Sequence, residues 1–337
     1  MDNFLLCVNG IFPLLLLMLL GYGLRRIHFI PDAGFDALDK LCFKIFIPVM
    51  LFSNVYYADF STAFQLDAIL FMEIAMAAVF LAIFLLAPRL FPNQNALCAT
   101  LVHGVSHGNL AALGIPLINN LFGQDQTAVF SIMVACSSLL TNPVLVFEHT
   151  YFQGDKLKVG KMIWKVFTSP FLVGTLLGLF CMAVRIAFPP FIETFVANLK
   201  SVSSPLALIA LGGSFALKDL KNYAKPVILG VTLKCVVVPA IVLGIAVALG
   251  FRGIVLASLL VIFTCPSATA TFSYCRGYCG DPALASQLVV HSSIVSIFTI
   301  FLWLFSFLQL GLLQGWPGKA YSDAKRGAKR RNCPATL

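Results

Sequence analysis

The sequence predicts an all-α integral membrane protein, and three observations carry that prediction. Of 337 residues, 59% are hydrophobic and only 11% charged, against about 25% charged in a soluble domain. Apolar runs of about 20 residues, long enough to cross a hydrocarbon core of about 30 Å, recur along the chain with short polar breaks. Prolines and glycines recur at one constant offset between the two halves of the chain.

Ten spans follow from the apolar runs, at about 4–28, 33–57, 66–91, 95–122, 125–151, 160–187, 190–217, 224–249, 252–279 and 282–312. The first is too long, and too polar at its exit through Arg25 and Arg26, for a cleaved signal peptide, which needs small residues before the cut. It is therefore read as part of the mature protein. Most of the ten cysteines fall within spans, where a thiol packs as a small hydrophobe. Cys275 and Cys279 have only Asp281 nearby, so no metal is expected there.

Short loops retain Lys and Arg on the cytoplasmic side. The breaks after spans 1, 3, 5, 7 and 9 hold Arg25, Arg26, Lys40, Lys44, Arg89, Lys156, Lys158, Lys161, Lys165, Lys218, Lys221, Lys225 and Arg276, whereas the opposite breaks hold Arg185, Lys200 and Arg252. The N-terminus is therefore expected outside. Ten spans then put the tail outside too, although "GKAYSDAKRGAKRRNCPATL" carries six basic residues. An eleventh crossing or a different span count would remove that conflict. The net charge of +9 is mostly topology and calls for no nucleic-acid partner.

A shift of 157 residues pairs Pro13 with Pro170, Gly21 with Gly178, Pro48 with Pro205 and Gly123 with Gly280. Each of these residues fixes a backbone feature. The expected organisation is residues 1–155 as a first five-helix repeat, 156–312 as a second, and 313–337 as a basic, disordered C-terminal tail. Five is odd, so the second repeat enters the membrane from the other side and the repeats are inverted.

The same shift overlays "VSHGNLAALGIPL" of span 4 on "IFTCPSATATFSY" of span 9. Both are rich in small, polar and helix-breaking residues at mid-span. Freed backbone groups cost several kcal/mol each in hydrocarbon, so such helices survive only inside protein or beside a watery cavity. Matching breaks in two halves point to a substrate site. Half-helix N-termini at such a crossing favour an anion, while carbonyl ends there could equally hold Na⁺.

"NLAALGIPL", Asn109 to Leu117, resembles the Asn-x4-Gly-Ile-Pro-Leu segment of the auxin efflux carrier family, which includes plant PIN-type carriers and bacterial malate or malonate permeases. "FPLLLLMLLGYGLRR", "LCFKIFIPVMLFSNV", "SSPLALIALGGSFA", "LKCVVVPAIVL" and "CGDPALASQLVVHSSIVSIFTIFLWL" look like its first, second, seventh, eighth and tenth spans. The resemblance implies ten helices, an outside N-terminus, discontinuous crossed helices 4 and 9, and transport of small organic anions between a scaffold and a moving bundle. Gly108 departs from the family pattern, and His103 and His107 are not part of its motif.

The substrate-binding candidates are Gly108, Asn109, Gly114 and Pro116 in span 4, with Pro266, Ser267, Thr269 and Thr271 in span 9. The Asn109 amide both donates and accepts, so it could bind a carboxylate or cap the half-helix that follows. Gly114 and Pro116 are simple backbone breakers. The span 9 hydroxyls could bind substrate or satisfy local carbonyls. His103 and His107, four apart on one helical face, are coupling candidates because histidine titrates near neutral pH; no third ligand is evident, so no metal is expected. Glu73 and Lys234 are ionisable at depth, hence functional suspects, and could form an interior ion pair. Glu148 and His149 are expected at the membrane interface, and Pro143 of "TNPV" kinks span 5.

Nothing in the sequence matches a nucleophile elbow, Walker loop or paired Cys/His metal signature, so neither an enzyme nor a cofactor is expected. The expectation is a secondary carrier of small mono- or dicarboxylates in the cell membrane, working by alternating access, with H⁺ or Na⁺ as coupling ion and a homodimer as one open assembly. Three alternatives stay open: a sodium-coupled organic anion symporter of the bile-acid type, a ligand-binding sensor on the carrier fold, and an ion channel.

Overall fold

The computed structural model describes residues 2–57, 64–123, 126–154, 170–213, 220–277 and 279–313, with Gly160, Trp164 and Thr168. The basic tail, several of the lysines expected on the cytoplasmic side (Lys156, Lys158, Lys161, Lys165 and Lys218) and the start of span 6 lie outside the described residues. Within the described residues, every expected span coincides with a helix or a broken helix. The elements are α1 (Asp2–Arg26), α2 (Asp32–Leu41), α3 (Ile47–Tyr56), α4 (Leu66–Leu90), α5 (Asn95–Ser106), α6 (Ile115–Phe122) and α7 (Thr127–Gln153). They continue with α8 (Pro170–Ala183), α9 (Pro190–Gly213), α10 (Leu220–Thr232), α11 (Val238–Ala248), α12 (Gly253–Thr264), α13 (Ala270–Gly277) and α14 (Pro282–Gln309). Six helices are long and apolar enough to cross a membrane unaided, and no strand occurs among the described residues.

Three spans contain a wide π-helical turn: Cys42–Phe46 between α2 and α3, Leu110–Gly114 before α6, and Leu233–Val237 between α10 and α11. Each leads into a helix whose second residue is proline: Pro48, Pro116 or Pro239. The cause is local. Proline has no N–H to give and its ring clashes with the carbonyl four residues back, and widening the preceding turn relieves that clash without ending the helix.

Two pairs of helices meet backbone to backbone through glycine. A Cβ on Gly21 of α1 would strike the carbonyl of Ile209 in α9, and one on Gly212 would strike that of Met18. On α8, a Cβ at Gly178 would stand 2.7 Å from the carbonyl oxygen of Phe52 in α3. Glycine permits these approaches because association in lipid depends on close packing, with no hydrophobic drive between helices.

Ile74, Phe180, Phe191, Ile228 and Phe298 are among the large apolar side chains left exposed, which is the surface a bilayer covers. In contrast, α5, α6 and α12 are buried over most of their length. The broken spans are thus the centre of the molecule.

Candidate functional site

Span 4 loses its helix after Ser106 and span 9 after Thr264, and the two extended stretches pair with each other. Asn109 donates its N–H to the carbonyl of Pro266 at 2.8 Å, and Ala268 donates to that of His107 at 3.1 Å, an antiparallel bridge centred on Gly108 and Ser267. Side chains complete the exchange. The Ser267 hydroxyl donates to the Gly104 carbonyl at 2.6 Å, and the Ser267 N–H donates to Ser292 Oγ at 3.0 Å. Backbone groups freed by one break are thus satisfied by the other, as a water-poor interior demands.

A cavity of about 490 Å³ ends on this crossing, where Gly108, Asn109 and Ala268 form its floor. Lys40 and Lys44, both exposed, line its mouth. A second cavity of about 380 Å³ lies along the other arm of span 4, lined by Asn54, Pro116, Asn119, Asn120 and Lys200 among others. Dense packing separates them. A Cβ on Gly114 would stand 2.7 Å from Phe130 Cζ and 3.3 Å from Val261 Cγ1.

Asn109 is 3% exposed, its side chain makes no capping hydrogen bond, and its Nδ2 has no hydrogen-bond partner. The capping role is therefore not the one its side chain performs. Gly108 lines the cavity, and a Cβ there would come 3.2 Å from Leu110 Cδ2. Pro116 lines the second cavity instead, and Gly114 belongs to the packing between the two. In span 9, Pro266 and Ser267 hold the bridge. Thr269 and Thr271 have buried hydroxyls without a partner, although it is their neighbours Ala268 and Ala270 that line the cavity.

Two expectations are corrected. Glu73 and Lys234 do not pair: among the described residues both Glu73 carboxylate oxygens lack a hydrogen-bond partner, and no ion pair is formed by Lys234, which is 4% exposed. The reason is placement: α4 packs on α5, α7 and α12, and the π turn of Lys234 meets α5, α12 and α14 rather than α4. Lys234 instead lies within electrostatic range of His107 and Cys265. Glu148 and His149, expected at the interface, are 0% and 1% exposed.

Both join the histidines of span 4. His103 Nδ1 lies 3.0 Å from His149 Nε2 and 3.1 Å from Glu148 Oε1, and His149 Nε2 lies 3.5 Å from the same oxygen. His149 Nδ1 sits 2.7 Å from the carbonyl of Cys279, and His107 Nδ1 3.3 Å from that of His103. Tyr274 stacks on His149 with ring centroids 5.8 Å apart. The i, i+4 histidine pair was readable in the sequence; the facing helix that completes the cluster was not.

Buried, broken and mutually paired helices beside a cavity that reaches their crossing define a multi-pass membrane transport protein. The comparison with known families agrees: the family described as membrane transport protein matches residues 6–304, and the chain belongs to it, within the group that includes the auxin efflux carriers. A protein of Methanothermobacter thermautotrophicus (strain Delta H) named an uncharacterized transporter is 24% identical over 298 residues, covering 87% of this chain and 96% of its own length.

Proposed function

We propose that the protein is a secondary carrier of small organic anions, mono- or dicarboxylates, that works by alternating access about the crossing of spans 4 and 9. The observation that carries this reading is Asn109 on the floor of the cavity of about 490 Å³, with its Nδ2 lacking a hydrogen-bond partner among the described residues. A buried donor without a partner costs about 1–3 kcal/mol, and a carboxylate would satisfy it. Lys40 and Lys44 outnumber Asp39 in the lining of this cavity, which leaves the approach the positive sign an anion needs. The N-terminus of α13 opens toward the same floor through Ala270.

Two cavities on opposite arms of one broken helix are what alternating access requires: one open route, one closed, and a packed barrier between them. Inverted repeats supply the second state. In support, the Gly21–Ile209 and Gly178–Phe52 contacts exchange when 157 residues are added to one partner and subtracted from the other. The Lys and Arg bias of the short breaks supports an orientation with the Lys40 and Lys44 end facing the cytoplasm. The test is flux in proteoliposomes of labelled malate, malonate, lactate and pyruvate under imposed pH, Na⁺ and voltage gradients. The reading expects uptake that Asn109→Ala abolishes; binding without flux would convert the protein into a sensor.

A further inference from the structure

We propose that His103, His107, Glu148 and His149 form a binding site for one divalent transition-metal ion of the zinc class, set in the wall of the larger cavity. The argument starts from three atoms. His103 Nδ1, His149 Nε2 and Glu148 Oε1 form a triangle with sides of 3.0, 3.1 and 3.5 Å. Ligand atoms bonded at about 2.0–2.1 Å to a tetrahedral ion stand about 3.3–3.4 Å apart, so the triangle matches one face of such a shell. His107 stands beside this triangle: His103, His107 and Glu148 each offer a ligand atom within 4.8 Å of the others, wider than the ~3.4 Å edge of a tetrahedral shell, so rotation of the His107 ring is what brings in the fourth ligand.

Hydrogen bonding alone does not explain the cluster. Neither Glu148 oxygen has a hydrogen-bond partner, although the side chain is fully buried, and a buried carboxylate needs a compensating charge. Two of the three imidazoles, those of His149 and His107, are also held as metal ligands are, while His103 Nε2 has no partner among the described residues. His149 Nδ1 faces the Cys279 carbonyl at 2.7 Å, which fixes the ring and turns Nε2 into the cluster. That outer contact is the one a metal-bound histidine makes. His107 Nδ1 faces the His103 carbonyl in the same manner.

The donor set selects the ion. Imidazole nitrogens with one carboxylate suit Zn²⁺, Co²⁺ or Ni²⁺, whereas Mg²⁺ and Ca²⁺ take oxygen ligands. Access is through the cavity, because His103, His107 and Tyr274 line it. One carboxylate leaves a divalent ion with residual positive charge, the sign that the organic-anion reading requires on this wall. The site itself does not depend on that reading, and metal binding is measured without any transported substrate.

The experiment strips the purified full-length protein with a chelator and dialyses it against Co²⁺, then Zn²⁺. One equivalent per chain is expected, with intense visible Co²⁺ bands of four- or five-coordinate nitrogen and oxygen ligation, displaced by Zn²⁺ and not by Mg²⁺. Glu148→Gln and His149→Gln should each weaken binding at least about tenfold. Glu148→Asp should retain a weakened site, and His291→Gln, whose Nδ1 bonds the Gln287 carbonyl of its own helix at 2.8 Å and which is not part of the cluster, should leave binding unchanged. Gel filtration checks that each variant folds. The proposal is overturned by the absence of a saturable equivalent in the native protein, by persistence of that equivalent in both Glu148→Gln and His149→Gln, or by the weak octahedral Co²⁺ spectrum of an ion on exposed groups. If the variants fail to fold, the native Co²⁺ spectrum decides alone.

Discussion

Replacing Asn109 with leucine separates a binding residue from a structural one, because the two roles predict opposite changes in stability. The amide is 3% exposed and its Nδ2 is unpartnered. Leaving a buried donor unsatisfied costs about 1–3 kcal/mol, and an apolar side chain of similar shape removes that cost. Leucine is slightly larger than asparagine, but the position faces a cavity of about 490 Å³, so overpacking is avoided. The backbone bond from Asn109 N to the Pro266 carbonyl, 2.8 Å, is untouched by the change.

Asn109→Leu should therefore stabilise the protein by about 1 kcal/mol while weakening substrate. A hydrogen bond to a charged group contributes about 1.5–3 kcal/mol, so apparent affinity should fall roughly 10- to 150-fold. Thermal or denaturant unfolding in detergent measures the first quantity, and concentration-dependent flux in proteoliposomes the second. A variant that loses a kcal/mol or more of stability would refute the reasoning, since it would mean the amide has a structural partner. A variant that gains stability and transports normally would move the substrate site away from the crossing.

Other positions give sharper structural tests. Gly21→Leu and Gly212→Leu, which drive a side chain into the carbonyls of Ile209 and Met18, should each cost at least about 3 kcal/mol, read as loss of folded protein on gel filtration or in unfolding curves. Ser267→Ala removes the 2.6 Å bond to Gly104 between the two broken spans and should cost about 1 kcal/mol in the same unfolding assay. Asp281, whose carboxylate accepts from the N–H groups of Ala283 and Leu284 at 3.0 and 3.1 Å, caps α14; Asp281→Ala should cost about 1 kcal/mol. If flux moves one net negative charge, an inside-negative potential of 100 mV should favour efflux by about 2.3 kcal/mol, roughly 50-fold in the equilibrium ratio, and voltage-clamped liposomes read that ratio directly.

The helices were legible because the bilayer leaves the chain little choice: each crossing must be long, apolar and internally hydrogen-bonded. The crossing was legible for the same reason turned round. Gly108, Pro116 and Pro266 are residues that a lipid-facing helix would not keep, so the breaks had to face protein or water. The wide turns before Pro48, Pro116 and Pro239 also left a trace in the sequence, an Ile-Pro or Val-Pro step at mid-span, which hydropathy cannot register because the span stays apolar through it.

Pairings across the bundle were a different matter. Glu148 lies near the C-terminal end of α7, and distance along one helix suggests an interface. Depth in the bundle is set by neighbours, and here Tyr274 and the Cys279 carbonyl from span 9 close over the residues beside it. The failed pairing of Glu73 with Lys234 has the same origin, for two charges at similar depth meet only if their helices touch, and α4 lies against α5, α7 and α12 rather than the turn of Lys234. The consequence bears on the candidate site itself. Asn109 could be picked out because its own segment breaks the helix, whereas Glu148 and His149 become chemically meaningful only through the i, i+4 histidines on a neighbouring span. A helical histidine pair buried in a membrane protein is thus a reason to search each adjacent helix for a third ligand before the pair is dismissed as packing.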